Sequence, residues 1–96
     1  MPELSLARGF YEKGCEGGDP VGCSYLGVVY EDGSGVDVDE QRAVVLYRRG
    51  CNVSDAFGCS RLGRMFARGR GVQKDEVKAA ALYKLACDGR YTHGCA

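Results

Sequence analysis

Six of the 96 residues are cysteines, and they follow a strict spacing. They form three pairs, Cys15 with Cys23, Cys51 with Cys59 and Cys87 with Cys95, eight residues apart within a pair and 36 apart from pair to pair. A glycine directly precedes the second cysteine each time. Thiols so placed can pair as disulfides, ligate a metal or cycle as a redox couple. Zinc sites favour cysteines a few residues apart, with four ligands converging. Here the offset of eight and the separation of 36 put the pairs in different layers. A catalytic redox pair usually reads C-x-x-C, and that motif is absent. Disulfides fit better, and a structural set of them implies an oxidising compartment.

The other reactive side chains are sparse. His93 is the single histidine and stands beside Cys95 at the end of the sequence, where a surface residue is a better reading than a catalytic base. With one histidine and no converging cysteines, neither a metal nor a cofactor is expected, and no catalytic residue is assigned.

The cysteine boxes belong to a longer repeat. Residues 7–42 align with 43–78 without gaps, and 15 of the 36 positions are identical. A third copy starts at Ala79. A period of this length is the signature of a solenoid. Within each copy the spacing is helical. Ala43, Leu46, Tyr47, Gly50 and Cys51 fall at i, i+3, i+4, i+7 and i+8, and the sets starting at Ala7 and Ala79 match them. This segment, ending in the first cysteine of a box, is termed helix B. Asp39 and Asp75 are placed to cap it, with Glu40 and Glu76 in its first turn. Tyr11, Tyr47 and Tyr83 are assigned to the core.

A second helix, A, follows each box. Asp19 is placed to cap it, with Pro20 at the first helical position, where a missing N–H costs nothing. Cys23, Leu26, Gly27 and Tyr30 form one buried stripe, and Cys59, Leu62, Gly63 and Phe66 the next. Two glycines in register, each costing roughly 1 kcal/mol against Ala, predict a close helix–helix approach. Gly33 and Gly69 sit where helix A should stop in a left-handed conformation. The expected order is B over 3–16, A over 19–32, B over 39–51, A over 55–68, B over 75–88 and a turn of A over 92–95. No strand is expected. The chain is read as one domain, 1–96, made of a partial repeat 1–18, repeats 19–54 and 55–90, and a truncated repeat 91–96. Its fold class is all-α, a right-handed superhelical α/α solenoid of disulfide-stapled helix pairs.

The stretches LGVVYEDGSGVDVDEQRAVVLYRRGC and LGRMFARGRGVQKDEVKAAALYKLAC resemble Sel1-like repeats, relatives of the tetratricopeptide repeat. With the paired cysteines, the chain is similar to the cysteine-rich Sel1 subfamily typified by the Helicobacter cysteine-rich proteins. The resemblance covers residues 4–96. Two departures stand out: Asn52-Val53-Ser54 replaces the usual small polar turn, and Tyr91 replaces the capping Asp of the third box, where Thr92 can substitute.

In the helical reading Cys15 ends helix B, a tight turn reverses the chain, and Cys23 lies one turn into helix A. The two face each other, and equivalent repeats should pair equivalently. The expected disulfides are Cys15–Cys23, Cys51–Cys59 and Cys87–Cys95. Each closes a short loop, worth roughly 2–3 kcal/mol by chain entropy.

The resemblance implies an adaptor or scaffold that binds protein through a concave helix-lined surface. It also brings an alternative, penicillin binding with weak β-lactamase activity. A serine β-lactamase needs a Lys three residues after its Ser. Ser5, Ser24, Ser34, Ser54 and Ser60 are followed at that distance by Arg8, Gly27, Asp37, Phe57 and Gly63. The residues therefore favour a binding module over a hydrolase.

Formal net charge is zero, which argues against nucleic acid as partner, and no apolar run is long enough to cross a membrane. The zero hides an asymmetry. Residues 7–42 carry three basic and eight acidic groups, a formal −5, and residues 43–78 carry eight basic and three acidic, a formal +5. Repeats of opposite sign suggest head-to-tail self-association. The face opposite the helix A stripe holds Tyr25, Val28 and Asp32 in one repeat and Arg61, Arg64 and Arg68 in the next, with Phe57 and Val21 close by. Three arginines at i, i+3 and i+7 with no acid between them repel one another. Tyr25, Val28, Phe57, Arg61, Arg64 and Arg68 are therefore the candidate partner-binding residues, suited to an acidic protein or peptide. The start of the chain lacks the apolar segment of a secretory signal. The cysteines favour the periplasm or secretion, with the mitochondrial intermembrane space as the runner-up.

Overall fold

The computed structural model describes residues 2–52 and 55–88. They form five helices: α1 (Pro2–Glu16), α2 (Pro20–Asp32), α3 (Glu40–Asn52), α4 (Ala56–Arg68) and α5 (Glu76–Asp88). No strand occurs among the described residues. Helices α1, α3 and α5 are the expected B helices, and α2 and α4 the A helices. The turn of A expected over 92–95, with Tyr91, Thr92, His93 and Cys95, lies outside the described residues.

The boundaries follow from capping chemistry. Asp19 precedes α2 in extended conformation, and its carboxylate accepts from the Val21 N–H at 3.0 Å. Asp39 and Asp75 do the same for α3 and α5, accepting from the Arg42 and Lys78 N–H groups at 3.0 Å each. Gly33 and Gly69 end α2 and α4 at φ 73° and 65°. That left-handed conformation turns each cap N–H back onto the carbonyls of Val29 and Met65 and strains any side-chain-bearing residue.

Consecutive helices pack as neighbours along the chain. Two apolar clusters hold them together. One gathers Cys15, Cys23, Leu26, Val29 and Leu46 between α1, α2 and α3. The other gathers Val44, Tyr47, Leu62, Met65 and Phe66 with Ala43 and Ala79 between α3, α4 and α5. Tyr30 packs against both and joins them.

The paired A-helix glycines make the close approach expected of them, and the structure shows to what. A Cβ on Gly27 would stand 2.7 Å from Tyr47 Cε1, and one on Gly63 would stand 3.0 Å from Tyr83 Cδ1. Each glycine is the seat of the tyrosine ring from the next B helix. Tyr47 fills its seat completely, with no exposed surface.

Candidate partner-binding face

The first two cysteine boxes are closed. Cys15–Cys23 and Cys51–Cys59 are disulfides, with Cα atoms 4.4 and 4.5 Å apart. The expected Cys87–Cys95 pair has one member outside the described residues. The glycine before each second cysteine is what lets the backbones come so near. A Cβ on Gly22 would lie 3.0 Å from the Cys15 nitrogen, and one on Gly58 3.0 Å from the Cys51 nitrogen. Each box also carries a backbone bond across the turn, from the Asp19 N–H to the Gly14 carbonyl at 2.8 Å and from the Asp55 N–H to the Gly50 carbonyl at 3.0 Å. The sulfurs of Cys15, Cys23 and Cys59 are in residues at most 7% exposed. Among the described residues no group of His, Cys, Asp and Glu is arranged to hold a metal.

The A helices stand closer together than the B helices. Helix α2 touches α4, whereas no comparable contact joins α1 to α3 or α3 to α5. The stack therefore bends toward its A helices, and their outward side chains line the inner face. On that face Tyr11 of α1 stacks on Tyr25 of α2 with ring centroids 5.4 Å apart. Tyr25 in turn stacks on Phe57 of α4 at 5.2 Å. The Arg61 guanidinium closes the row, 5.1 Å from the Phe57 ring centre. Four side chains from three helices form one continuous strip. Tyr25 remains 42% exposed within it, and Arg68 is exposed about two helical turns beyond Arg61 on α4. Tyr11, expected in the core, packs half-buried against the cluster between α1, α2 and α3 and also extends the strip across α1.

Two candidate residues are placed otherwise than the sequence suggests. Val28 is half-buried against the cluster between α3, α4 and α5, because α2 lies against both α3 and α4. Arg64 is not one of three unopposed cations. Its Nη2 donates to Glu31 Oε2 at 2.8 Å, across the interface between the A helices. Arg70 Nη1 donates to the same oxygen at 2.9 Å, and its Nε donates to Glu40 Oε2 at 2.8 Å. The Tyr47 hydroxyl donates to Glu31 Oε1 at 2.6 Å. Glu31 thus has both oxygens engaged and a side chain only 1% exposed.

The electrostatics follow from this geometry. Burial pushes the Glu31 carboxyl up. Hydrogen bonds from Tyr47 and Arg64 and the charges of Arg64 and Arg70 outweigh it and hold the group below the usual carboxylate range. Burial, and then the bond to the Glu31 anion, push the Tyr47 phenol up. The arginines can meet a carboxylate here because guanidinium forks match its geometry. The Arg64–Glu31 pair locks the two A helices in register and leaves Arg61 and Arg68 as the cations of the inner face.

The Sel1 repeat family matches this chain over residues 2–19, 20–55 and 56–91, nearly its whole length. The chain belongs to the Sel1 repeat family. Three solved structures share its fold. Helicobacter pylori cysteine rich protein B is 33% identical, with a TM-score of 0.87 over 92% of this chain and 66% of that one. The structure of c5321, a protective antigen present in uropathogenic Escherichia coli strains and displaying an SLR fold, is 30% identical, with a TM-score of 0.86 over 92% of this chain and 19% of that one. A Sel1 repeat protein from Oxalobacter formigenes is 26% identical, with a TM-score of 0.90 over 95% of this chain and 36% of that one. The chain spans less than two thirds of each. No curated protein matches. This Sel1 chain is an α/α solenoid of the expected class, with cysteine-rich protein B of H. pylori among its structural neighbours. Sel1 repeats generally serve as protein–protein interaction modules. Disulfides in this chain point to an oxidising compartment.

Proposed function

We propose that this Sel1 chain is an adaptor that binds an acidic protein or peptide along its inner face and carries no chemistry of its own. The carrying observation is the strip Tyr11–Tyr25–Phe57–Arg61, built from three helices and left open at Tyr25. Aromatic rings capped by a guanidinium supply contact area and a charge in one line, a combination enriched at binding hot spots. The Cys15–Cys23 and Cys51–Cys59 staples hold α1, α2, α3 and α4 in the alignment the strip needs. Residues Arg61 and Arg68 set the preference for acidic partners. The working place is the periplasm or the exterior of the cell, where such staples persist. Head-to-tail contact between two copies draws on the same charge contrast between repeats.

The test is quantitative affinity capture from a native extract, using wild type and the Tyr25→Ala/Arg61→Glu double variant. Wild type should enrich an acidic partner that the variant loses, while the far-UV circular dichroism of the two proteins coincides. Equal capture by both would remove the inner face as the binding surface.

A further inference from the structure

The outer side of the stack carries a second feature, and it repeats. Between α1 and α3 lies a groove of about 290 Å³ floored by Leu26 and Tyr30 of α2. Between α3 and α5 lies another, of about 530 Å³, floored by Leu62 and Phe66 of α4. Position by position the two are counterparts, 36 residues apart: Leu26 and Leu62, Tyr30 and Phe66, Leu46 and Leu82. Even a cation over the floor ring recurs. Arg42 stands 4.7 Å from the Tyr30 ring centre, and Lys78 stands 5.4 Å from that of Phe66.

The rims differ. The first groove is bordered by Glu12 and Glu16 on one wall and Arg42 and Arg49 on the other, so both signs of charge line it. In the second, Arg48 stands where the first has Glu12, and Leu85 stands where it has Arg49. Its charged walls, Arg48 and Lys78, are both positive. Among the described residues no carboxylate pairs with either one. Leu85 is 54% exposed at its lip. Past Phe66 the groove continues into a hollow of about 480 Å³ that adds Lys74 and Asp75. The Asp75 carboxylate there is already engaged in capping α5.

The geometry points to the α3–α5 groove as a docking site, separate from the inner face, for a peptide segment that joins a bulky apolar residue to neighbouring carboxylates. The volume lies within the roughly 300–1,000 Å³ of known ligand sites. The apolar floor takes the bulky side chain, as grooves between helices take helical or extended anchors. The carboxylates meet Arg48 and Lys78, which no carboxylate among the described residues pairs with. The sister groove lacks this preference because both signs of charge line it.

A random-peptide library displayed on phage tests the proposal. It is selected on the oxidised wild type, and the selected peptides are then titrated against Lys78→Glu/Leu85→Ser, Ala81→Gln and Arg61→Glu. Lys78, Ala81 and Leu85 are exposed and Arg61 is half-buried, and circular dichroism with thermal melting verifies each fold; Ala81→Gln fills the groove wall if the double variant melts early. Wild type should select peptides pairing a bulky apolar residue with Asp or Glu. Their affinity should fall at least tenfold in the two groove variants and hold in Arg61→Glu. Selection of no such peptides, or affinities unchanged in the groove variants, would overturn the site. Loss in Arg61→Glu alone would assign the peptides to the inner face, overturning this inference while leaving the proposed function standing. A dimer in sedimentation analysis that the groove variants abolish would assign the groove to a second copy and overturn the inference as well.

Discussion

Glu31 is the residue that decides how the two repeats meet, and the repeat alignment hides it. Alignment draws attention to identical positions. Glu31, however, is matched by Ala67, Arg64 by Val28, and Arg70 by Ser34. The cluster exists at one interface only and has no counterpart in the other repeat. Helical spacing put Arg61, Arg64 and Arg68 on one face of α4, but it carried no information about an acid on α2. Losing the Glu31 carboxylate would leave Arg64 and the buried Tyr47 hydroxyl without their acceptor and Arg70 with Glu40 alone. Glu31→Ala should therefore cost about 3 kcal/mol in denaturant unfolding, in the range for breaking a buried pair. The pH dependence has a definite sign. Because the folded-state carboxyl lies below its usual value, its contribution is present above the unfolded value of about 4.3. It is lost as pH falls through the lower folded value. Wild type and Glu31→Gln should differ most near neutral pH, and their thermal midpoints should draw together as pH falls through the lowered folded-state value.

Gly27 is the opposite case, legible in the sequence as an anomaly inside a helix. Its partner was not legible, because the ring that fills the space comes from Tyr47, twenty residues on. Tyr47 is fully buried and tied through its hydroxyl to Glu31, so it cannot step aside. Gly27→Ala should destabilise by about 1–3 kcal/mol in denaturant unfolding, as overpacking does, despite the better helix propensity of alanine. A neutral or stabilising result would show that the ring moves freely.

At the scale of elements, the helices and their joints were the most readable part of the chain. The helix ends fell within a residue or two of the expected bounds because Asp19, Asp39 and Asp75 cap where aspartate caps best, and Gly33 and Gly69 end their helices in the left-handed conformation. One joint is built differently. Asp55 precedes α4 without a side-chain cap bond of its own. Its carboxylate instead accepts the hydroxyl of Ser24, a fully buried residue of the preceding A helix. A local motif thus became a tie between repeats, which no local pattern reveals. The staples themselves are entropic devices that join each B helix to the next A helix. Cys15→Ser/Cys23→Ser should lower unfolding free energy by about 2–3 kcal/mol at 25 °C. Reductant should lower the denaturation midpoint of wild type further, because it also opens Cys51–Cys59, and should bring wild type and the variant to the same midpoint.

At the scale of the molecule, the acidic and basic repeats are visible in composition, but much of their contrast is met inside the chain. Glu31 and Glu40 pair with Arg64 and Arg70 across the repeat interface. What remains for a second copy is correspondingly small. Self-association should therefore be weak, appearing in sedimentation analysis at low ionic strength and vanishing near physiological salt, where the screening length is about 8 Å. A dimer that persists in high salt would point to apolar contact instead. The inner face was legible only in part: Tyr25, Phe57 and Arg61 could be placed on one side of the A helices, yet their union with Tyr11 in a single stacked strip depends on how three helices pack.

That strip is the proposed binding surface. The most direct measurement is calorimetric titration of the captured acidic partner into wild type and into Tyr25→Ala/Arg61→Glu, both oxidised and folded. At least a tenfold loss of affinity is expected in the variant, about 1.4 kcal/mol or more. Equal affinities for the two proteins would contradict it.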